Sequence, residues 1–351
     1  MRARTSRYLA SVLLACVTAV LAAVPVFGQT ATVTLVGAGD VAYCTRAIDE
    51  ATARLLGSTL RNLTSDGELP PLRQARVITL GDNVQGSGLR REFANCYDNY
   101  RLSDGSTYDR SRPAWWGQYK KRTMPAPGNH EYYNSTDSRL RAKPYFDYFK
   151  ARNGFELPRA PVPNTSTNPG LTLGKGYYSY DLGSWHIVVL NSNDHCAYVR
   201  CSGQSPQARW LRNDLAANPS ACTLAYIHHP LYATGTGGRA PEIRPLWRIL
   251  YRHGAEVILN GHNHRYERLA RIDPDGRPDP ARGLRSITVG TGGAPGDGTT
   301  ATPLPTSQVR IFGTSGVIRM ALRSGSYSWK FVAVDGTRNG DVRDSGTESC
   351  H

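Results

Sequence analysis

The chain has 351 residues, a formal charge of +14, 40% hydrophobic and 20% charged residues. That balance excludes a disordered chain, and the length allows one large domain or two. Basic residues scattered along the chain favour general attraction of anions over a dedicated nucleic-acid stripe, so no specific nucleic-acid partner is expected.

The chain opens with the basic "MRARTSRY" and continues as the apolar run "LASVLLACVTAVLAAVPVF", closing on Val26-Phe27-Gly28. This order predicts a secretory signal peptide over residues 1–28 and a secreted protein, extracellular or periplasmic. No basic stop-transfer cluster follows, so no stable membrane insertion is expected after cleavage. Cleavage removes three arginines and no acid, leaving +11. Six cysteines remain: Cys44, Cys96, Cys196, Cys201, Cys222 and Cys350. An even number in an exported chain reads as disulfides. Cys196 and Cys201 are near enough in sequence to close a small loop, and Cys222 is the expected partner of Cys350.

From Ala31 onward strand-like and helix-like segments alternate. "ATVTLVGAGD" is a β-branched run ending in Gly-Asp, "RAIDEATARLLGSTLRNL" has helical apolar spacing, and "ARVITLGDN" repeats the strand-then-Gly-Asp form. "GYYSYDLGSWHIVVLNSN" predicts a hairpin about Leu182-Gly183. A helix over 205–218, a strand in "CTLAYIHHP", a helix over 241–254 and a strand in "AEVILNGHNH" follow. After "LRSITVGTGG" a late hairpin turns at Ser324-Gly325. The alternation predicts an α/β fold with parallel or mixed sheets. No linker or internal repeat divides it, so one domain is expected over 31–351. Asn164-Thr165-Ser166, in a Pro-rich loop, has the form of a glycosylation acceptor.

In α/β sheets ligands gather beyond the carboxyl ends of strands. Those ends carry Asp40, Asp82, Asn129 with His130, His228 with His229, and His262 with His264. Alone, a Gly-Asp is usually a turn and a histidine usually structural. Together, two carboxylates, a carboxamide and three imidazoles form a mixed O/N set suited to borderline divalent or ferric ions. Six ligands exceed one tetrahedral site, so two ions sharing a carboxylate are the economical arrangement.

These blocks resemble the calcineurin-like metallophosphoesterases, and within them the purple acid phosphatase-like branch. The likeness rests on "GD" at 39–40, "GDNVQ" at 81–85, "GNHE" at 128–131, "YIHHP" at 226–230 and "GHNH" at 261–264. It implies a four-layer α/β/β/α sandwich, two mixed sheets flanked by helices, as a bare catalytic domain with no room for an N-terminal β-sandwich. It implies that Asp40 and His264 hold one metal, that Asp82 bridges, and that Asn129, His228 and His262 hold the second. His130 would stabilise the phosphoryl oxygens and protonate the leaving alkoxide. Glu131 would orient that imidazole or lie at the surface, and His229, past its strand end, could turn toward substrate. The metals would be two divalent ions (Zn, Mn, Fe or Ca) or a mixed Fe/divalent pair.

The pattern departs from the family at Ala42, where many members have His, and at Gln85, where purple acid phosphatases have Tyr. Gln85, Tyr43 or water would complete the first site, and without a phenolate a divalent, colourless centre is expected. The leading expectation is a phosphatase that hydrolyses phosphomonoesters by attack of a metal-bound hydroxide. The alternatives are a phosphodiesterase or nucleotidase on the same metals, and a non-catalytic polyanion-binding protein with a decayed first site. Loops 232–238 and 290–297 are candidates for selectivity, and the "GTGGAPGD" segment for cradling an anion with its N–H groups.

Overall fold

Thirteen strands among the described residues form two sheets, the central ones from β-branched and aliphatic runs. The computed structural model describes residues 32–98, 114–137, 140–149, 175–235, 239–298, 301–337 and 339–351. The expected signal peptide and the Asn164 acceptor lie outside them. No helix among the described residues is long and apolar enough to cross a membrane.

In the first sheet β1 (Val33–Ala38), β2 (Ala75–Leu80) and β3 (Thr123–Ala126) run parallel. The antiparallel strands β11 (Gly316–Arg323), β12 (Ser326–Ala333) and β13 (Asp341–Ser349) extend it from β1 in the order β13-β12-β11-β1-β2-β3. In the second sheet β5 (Trp185–Val189), β6 (Cys222–Tyr226), β7 (Val257–Asn260) and β9 (Leu284–Val289) are parallel. β4 (Tyr178–Leu182), β8 (Tyr266–Ile272) and β10 (Ser307–Ile311) complete the order β10-β8-β9-β7-β6-β5-β4.

The two-residue period of the strands decides which layer each side chain joins. Trp185, Ile187 and Val189 of β5, with Leu224 and Tyr226 of β6, enter the core between the sheets. Val188, Ala225 and Ile258 point the other way, against helices α3 (Pro206–Ala217) and α4 (Arg244–Arg252). Helix α1 (Ile48–Arg61) lies on β1 and β11, and the aromatic helix α2 (Lys143–Phe149) packs with Phe93 and Tyr97. This is the expected fold class: two mixed sheets flanked by helices.

Disulfides join Cys196 to Cys201 and Cys222 to Cys350, as expected, and Cys44 to Cys96. Two expectations are refined. The helix predicted over 241–254 is tighter at its start, with the α-helix proper beginning at Arg244. Strands β3, β8, β10 and β13 carry no clean apolar alternation and were not anticipated.

Candidate metal centre

Two residues past the ends of β1, β2 and β7 the backbone turns sharply. Asp40 (φ 58°), Asp82 (φ 48°) and His262 (φ 69°) all sit in the left-handed region that non-glycine residues avoid. Strain of this kind persists only where surrounding bonds enforce it. Here the enforcing bonds are backbone: Asp40 N–H donates to Gly81 O at 3.0 Å, Val41 N–H to Asp82 O at 2.9 Å and Ala42 N–H to Asn83 O at 3.0 Å. The parallel pairing of β1 and β2 thus continues past the strand ends and carries both carboxylates inward together. Gly128 allows the third approach, since a Cβ there would lie 2.2 Å from Asp82 Oδ1.

The two carboxylates are used alike. Asp40 Oδ2 accepts the backbone N–H of His262 at 2.8 Å, while its Oδ1 lies 3.3 Å from His264 Nε2. Asp82 Oδ1 accepts the backbone N–H of His130 at 2.9 Å, while its Oδ2 lies 3.2 Å from His228 Nε2 and 3.8 Å from His130 Nε2. Each carboxylate commits one oxygen to the scaffold and presents the other to imidazoles.

The imidazoles are oriented from behind. His228 Nδ1 donates to Leu80 O at 2.8 Å and His264 Nδ1 to Pro295 O at 2.9 Å, so each turns Nε2 inward. His228 Nε2 and His262 Nδ1 stand 3.2 Å apart, and Asn129 Oδ1 lies 2.9 and 3.1 Å from them. A side-chain oxygen and two ring nitrogens facing one another hold more lone pairs than protons, which is the chemistry of a cation nest. The two carboxylates favour protonation of two of the imidazoles. Burial opposes it, but the charge and hydrogen bond of Asp82 lift His228 to about 9. His264 is likewise lifted to about 9 against burial, by the hydrogen bond and charge of Asp40. Burial, then the His228 charge, pushes His262 down to about 4.

All six expected ligand residues meet here, with His130 at the rim. Asp40, Asp82 and His228 bring ligand atoms within 4.8 Å of one another, as do His228, His229 and His262. The donors fit divalent ions in number and type, so these residues could hold them. His130 donates Nδ1–H to Gly86 O at 2.5 Å, and its side chain is 27% exposed beside an Asp82 that is 2% exposed. It is the member that an incoming molecule can reach.

Other expectations are corrected. Glu131 does not lie at the surface, and its carboxylate bonds backbone amides and not the His130 ring. Fully buried, it accepts backbone N–H groups from Gly128 (2.6 Å), Asn83 (2.8 Å) and Asp82 (3.1 Å), clamping two loops of the centre together. Burial and the nearby Asp82 charge push it up to about 7. Gln85 turns its amide nitrogen toward Asp40 Oδ1 at 3.3 Å, which presents a donor and not the expected oxygen. Tyr43 makes no hydrogen bond to a described residue of the centre; Arg46 lies over its ring. In the "GTGGAPGD" segment four amides are committed to the scaffold: Gly290 N–H donates to Arg265 O, Gly292 N–H to Gly39 O, Ala294 N–H to Asp40 O and Asp297 N–H to His264 O.

Three residues near the centre were not anticipated. Tyr133, 47% exposed, accepts Asn129 Nδ2–H at 2.9 Å. Ser192 bonds His229 Nδ1 at 2.8 Å. His195 (φ 47°), beside the Cys196–Cys201 bridge, packs its ring 4.7 Å from that of His229. A polar "NSNDH" immediately after a buried strand was the available signal.

The calcineurin-like phosphoesterase model matches residues 38–266, from the end of β1 through the last of these histidines. The chain belongs to that family. Purple acid phosphatase 23 of Arabidopsis thaliana is 28% identical over 255 residues, 68% of this chain and 51% of its own length. Two solved structures share the architecture. The yellow lupin (Lupinus luteus) purple acid phosphatase PPD1 superposes with a TM-score of 0.57 at 17% identity, covering 92% of this chain and 54% of that one. GAP50, the anchor in the inner membrane complex of Plasmodium, gives 0.57 at 11% identity, covering 92% of this chain and 90% of its own. These two likenesses concern the fold. This calcineurin-like phosphoesterase spans 36–51% of the length of the first three curated relatives it matches.

Proposed function

We propose that the protein is a secreted, metal-dependent phosphatase acting on phosphomonoesters, with Asp40 and His264 holding one divalent ion, Asp82 bridging, and Asn129, His228 and His262 holding the other. The observation that carries it is the convergence of two carboxylate oxygens, a carboxamide oxygen and three ring nitrogens, with Asp40, Asp82, His228 and His264 fixed from behind by backbone groups and Asn129 by Tyr133. When bound, two such ions supply Lewis acidity and an acidified water. The rest falls to the chain. Glu131 holds the Asp82 and Gly128 loops in register. Gly86 O keeps the His130 ring turned so that Nε2 faces the Asp82 side, where it donates a proton to the departing alkoxide. With Gln85 donating to Asp40 and no phenolate at that carboxylate, divalent ions and a colourless protein are expected. Residues 1–28 as a cleaved leader accord with three disulfides, which form in oxidising compartments.

Metal stoichiometry and turnover of a chromogenic monoester and a diester test this on wild type and His130→Ala. Two ions per chain and monoester turnover are expected. In His130→Ala the rate should fall on the order of a hundredfold or more with metal content unchanged. Metal-loaded protein that turns over neither ester would overturn the proposal; preferred turnover of the diester would replace the substrate class.

A further inference from the structure

We infer that His229 is a further catalytic residue, a buried N–H donor to a phosphoryl oxygen of the substrate and not a metal ligand; this rests on the phosphatase reading above. The inference comes from where its protons must be. His229 is fully buried, and its Nδ1 lies 2.8 Å from Ser192 Oγ. The same oxygen accepts the backbone N–H of His229 at 3.1 Å. Ser192 is itself fully buried, and its hydroxyl has no other hydrogen-bond partner among the described residues. Its hydrogen therefore has one place to go, Nδ1 of His229. A neutral ring that accepts at Nδ1 carries its own hydrogen on Nε2.

That Nε2–H has no partner among the described residues. A buried donor left unpaired costs about 1–3 kcal/mol, so such groups are commonly waiting for a ligand. The ligand must be an acceptor, because the hydrogen on Nε2 bars it from binding a cation in this form. Its position suits a phosphoryl oxygen. A ring nitrogen of His229 lies within 4.8 Å of ligand atoms of His228 and His262, and its ring is 4.1 Å from that of His262. Proximity to His228 and His262 would also suit a third imidazole ligand; the serine hydroxyl, as a donor to Nδ1, favours the N–H donor, and metal content in the test below separates the two.

The test is calorimetric binding of inorganic phosphate to metal-loaded protein, with metal content measured on each sample. His229→Phe fills the space without a donor and should weaken phosphate binding about tenfold or more, the size of one hydrogen bond to a charged group, with two ions retained. Ser192→Ala frees the ring to take the other tautomer and should weaken it by a smaller factor, while Ser192→Thr keeps the hydroxyl and the affinity. If His229→Phe does not fold, the contrast between Ser192→Ala and Ser192→Thr carries the test. Loss of an ion in His229→Phe would make the residue a metal ligand and overturn the inference. Wild-type affinity in both His229→Phe and Ser192→Ala would overturn it too, leaving the phosphatase reading intact. Failure of the wild type to bind phosphate and to turn over ester would remove both.

Discussion

Tyr133→Phe tests whether Asn129 serves the centre through its oxygen. A carboxamide binds a cation through Oδ1, yet its two ends have nearly the same shape, so something must decide which faces the imidazoles. Tyr133 decides it: its hydroxyl accepts Asn129 Nδ2–H at 2.9 Å, which leaves Oδ1 toward His228 and His262. The side chain is 47% exposed, so deleting one hydroxyl should leave stability nearly unchanged. The lost hydrogen bond is worth about 0.5–1.5 kcal/mol, which corresponds to about two- to tenfold weaker binding of the second ion. Competition for zinc or manganese against a chromophoric chelator, starting from metal-free protein, measures it. Asn129→Asp supplies the control, because a carboxylate presents an oxygen whichever way it turns. Tyr133→Phe added to that background should have little further effect. Unchanged affinity in the single variant, or the same drop in both backgrounds, would refute the reasoning.

Two further predictions concern the scaffold. Glu131→Gln keeps the shape but leaves one oxygen where two now serve the Gly128, Asp82 and Asn83 amides; with a buried donor orphaned at about 1–3 kcal/mol, calorimetry should show a melting point several degrees lower. An unchanged melting point would mean that the amides are satisfied some other way. His186, buried between Asp214 Oδ2 (2.9 Å) and Asp181 Oδ1 (2.8 Å), has its pKa raised: burial opposes, but the hydrogen bonds and charges of the two carboxylates outweigh it. The ion pair therefore stabilises fully below the unfolded value of about 6.5 and fades as pH rises through the higher folded value. The melting-point gap between wild type and Asp214→Asn, both in excess chelator, should narrow from pH 6 to pH 9 (about that range), and a gap that widens would contradict the sign.

The centre was legible because strand-formers and ligand types do not mix here. Apolar runs end at Gly39, Gly81 and Gly261, and the polar residue that follows each has no role in a sheet. Support from behind was not legible, since it depends on contacts across the sheets. Nothing local to "GNHEYY" says that Glu131 turns inward to four backbone amides while Tyr133 turns outward to Asn129. The edges were hidden for a different reason. "DVRDSGTES" has no apolar face, and β13 is held instead by its ladder to β12, by Arg268 on Asp344, by Arg285 on Glu348 and by the Cys222–Cys350 bridge. β3 contains Pro125, which an edge position tolerates and a central strand would not.

Three expected ligands in left-handed backbone cost on the order of 1–3 kcal/mol each, and the order of the chain explains why that is tolerated. The residues that hold the strain are the ligands' own partners. Asp40 is bent so that its Oδ2 can take the amide of His262, itself bent, and Asp82 so that its Oδ1 can take the amide of His130. Neither carboxylate can relax without orphaning a buried amide on a loop that carries another functional side chain. The loops after β1, β2, β3 and β7 are therefore a closed set of backbone contacts. They fix where the inward-facing oxygens and nitrogens of Asp40, Asp82, His228 and His264 point.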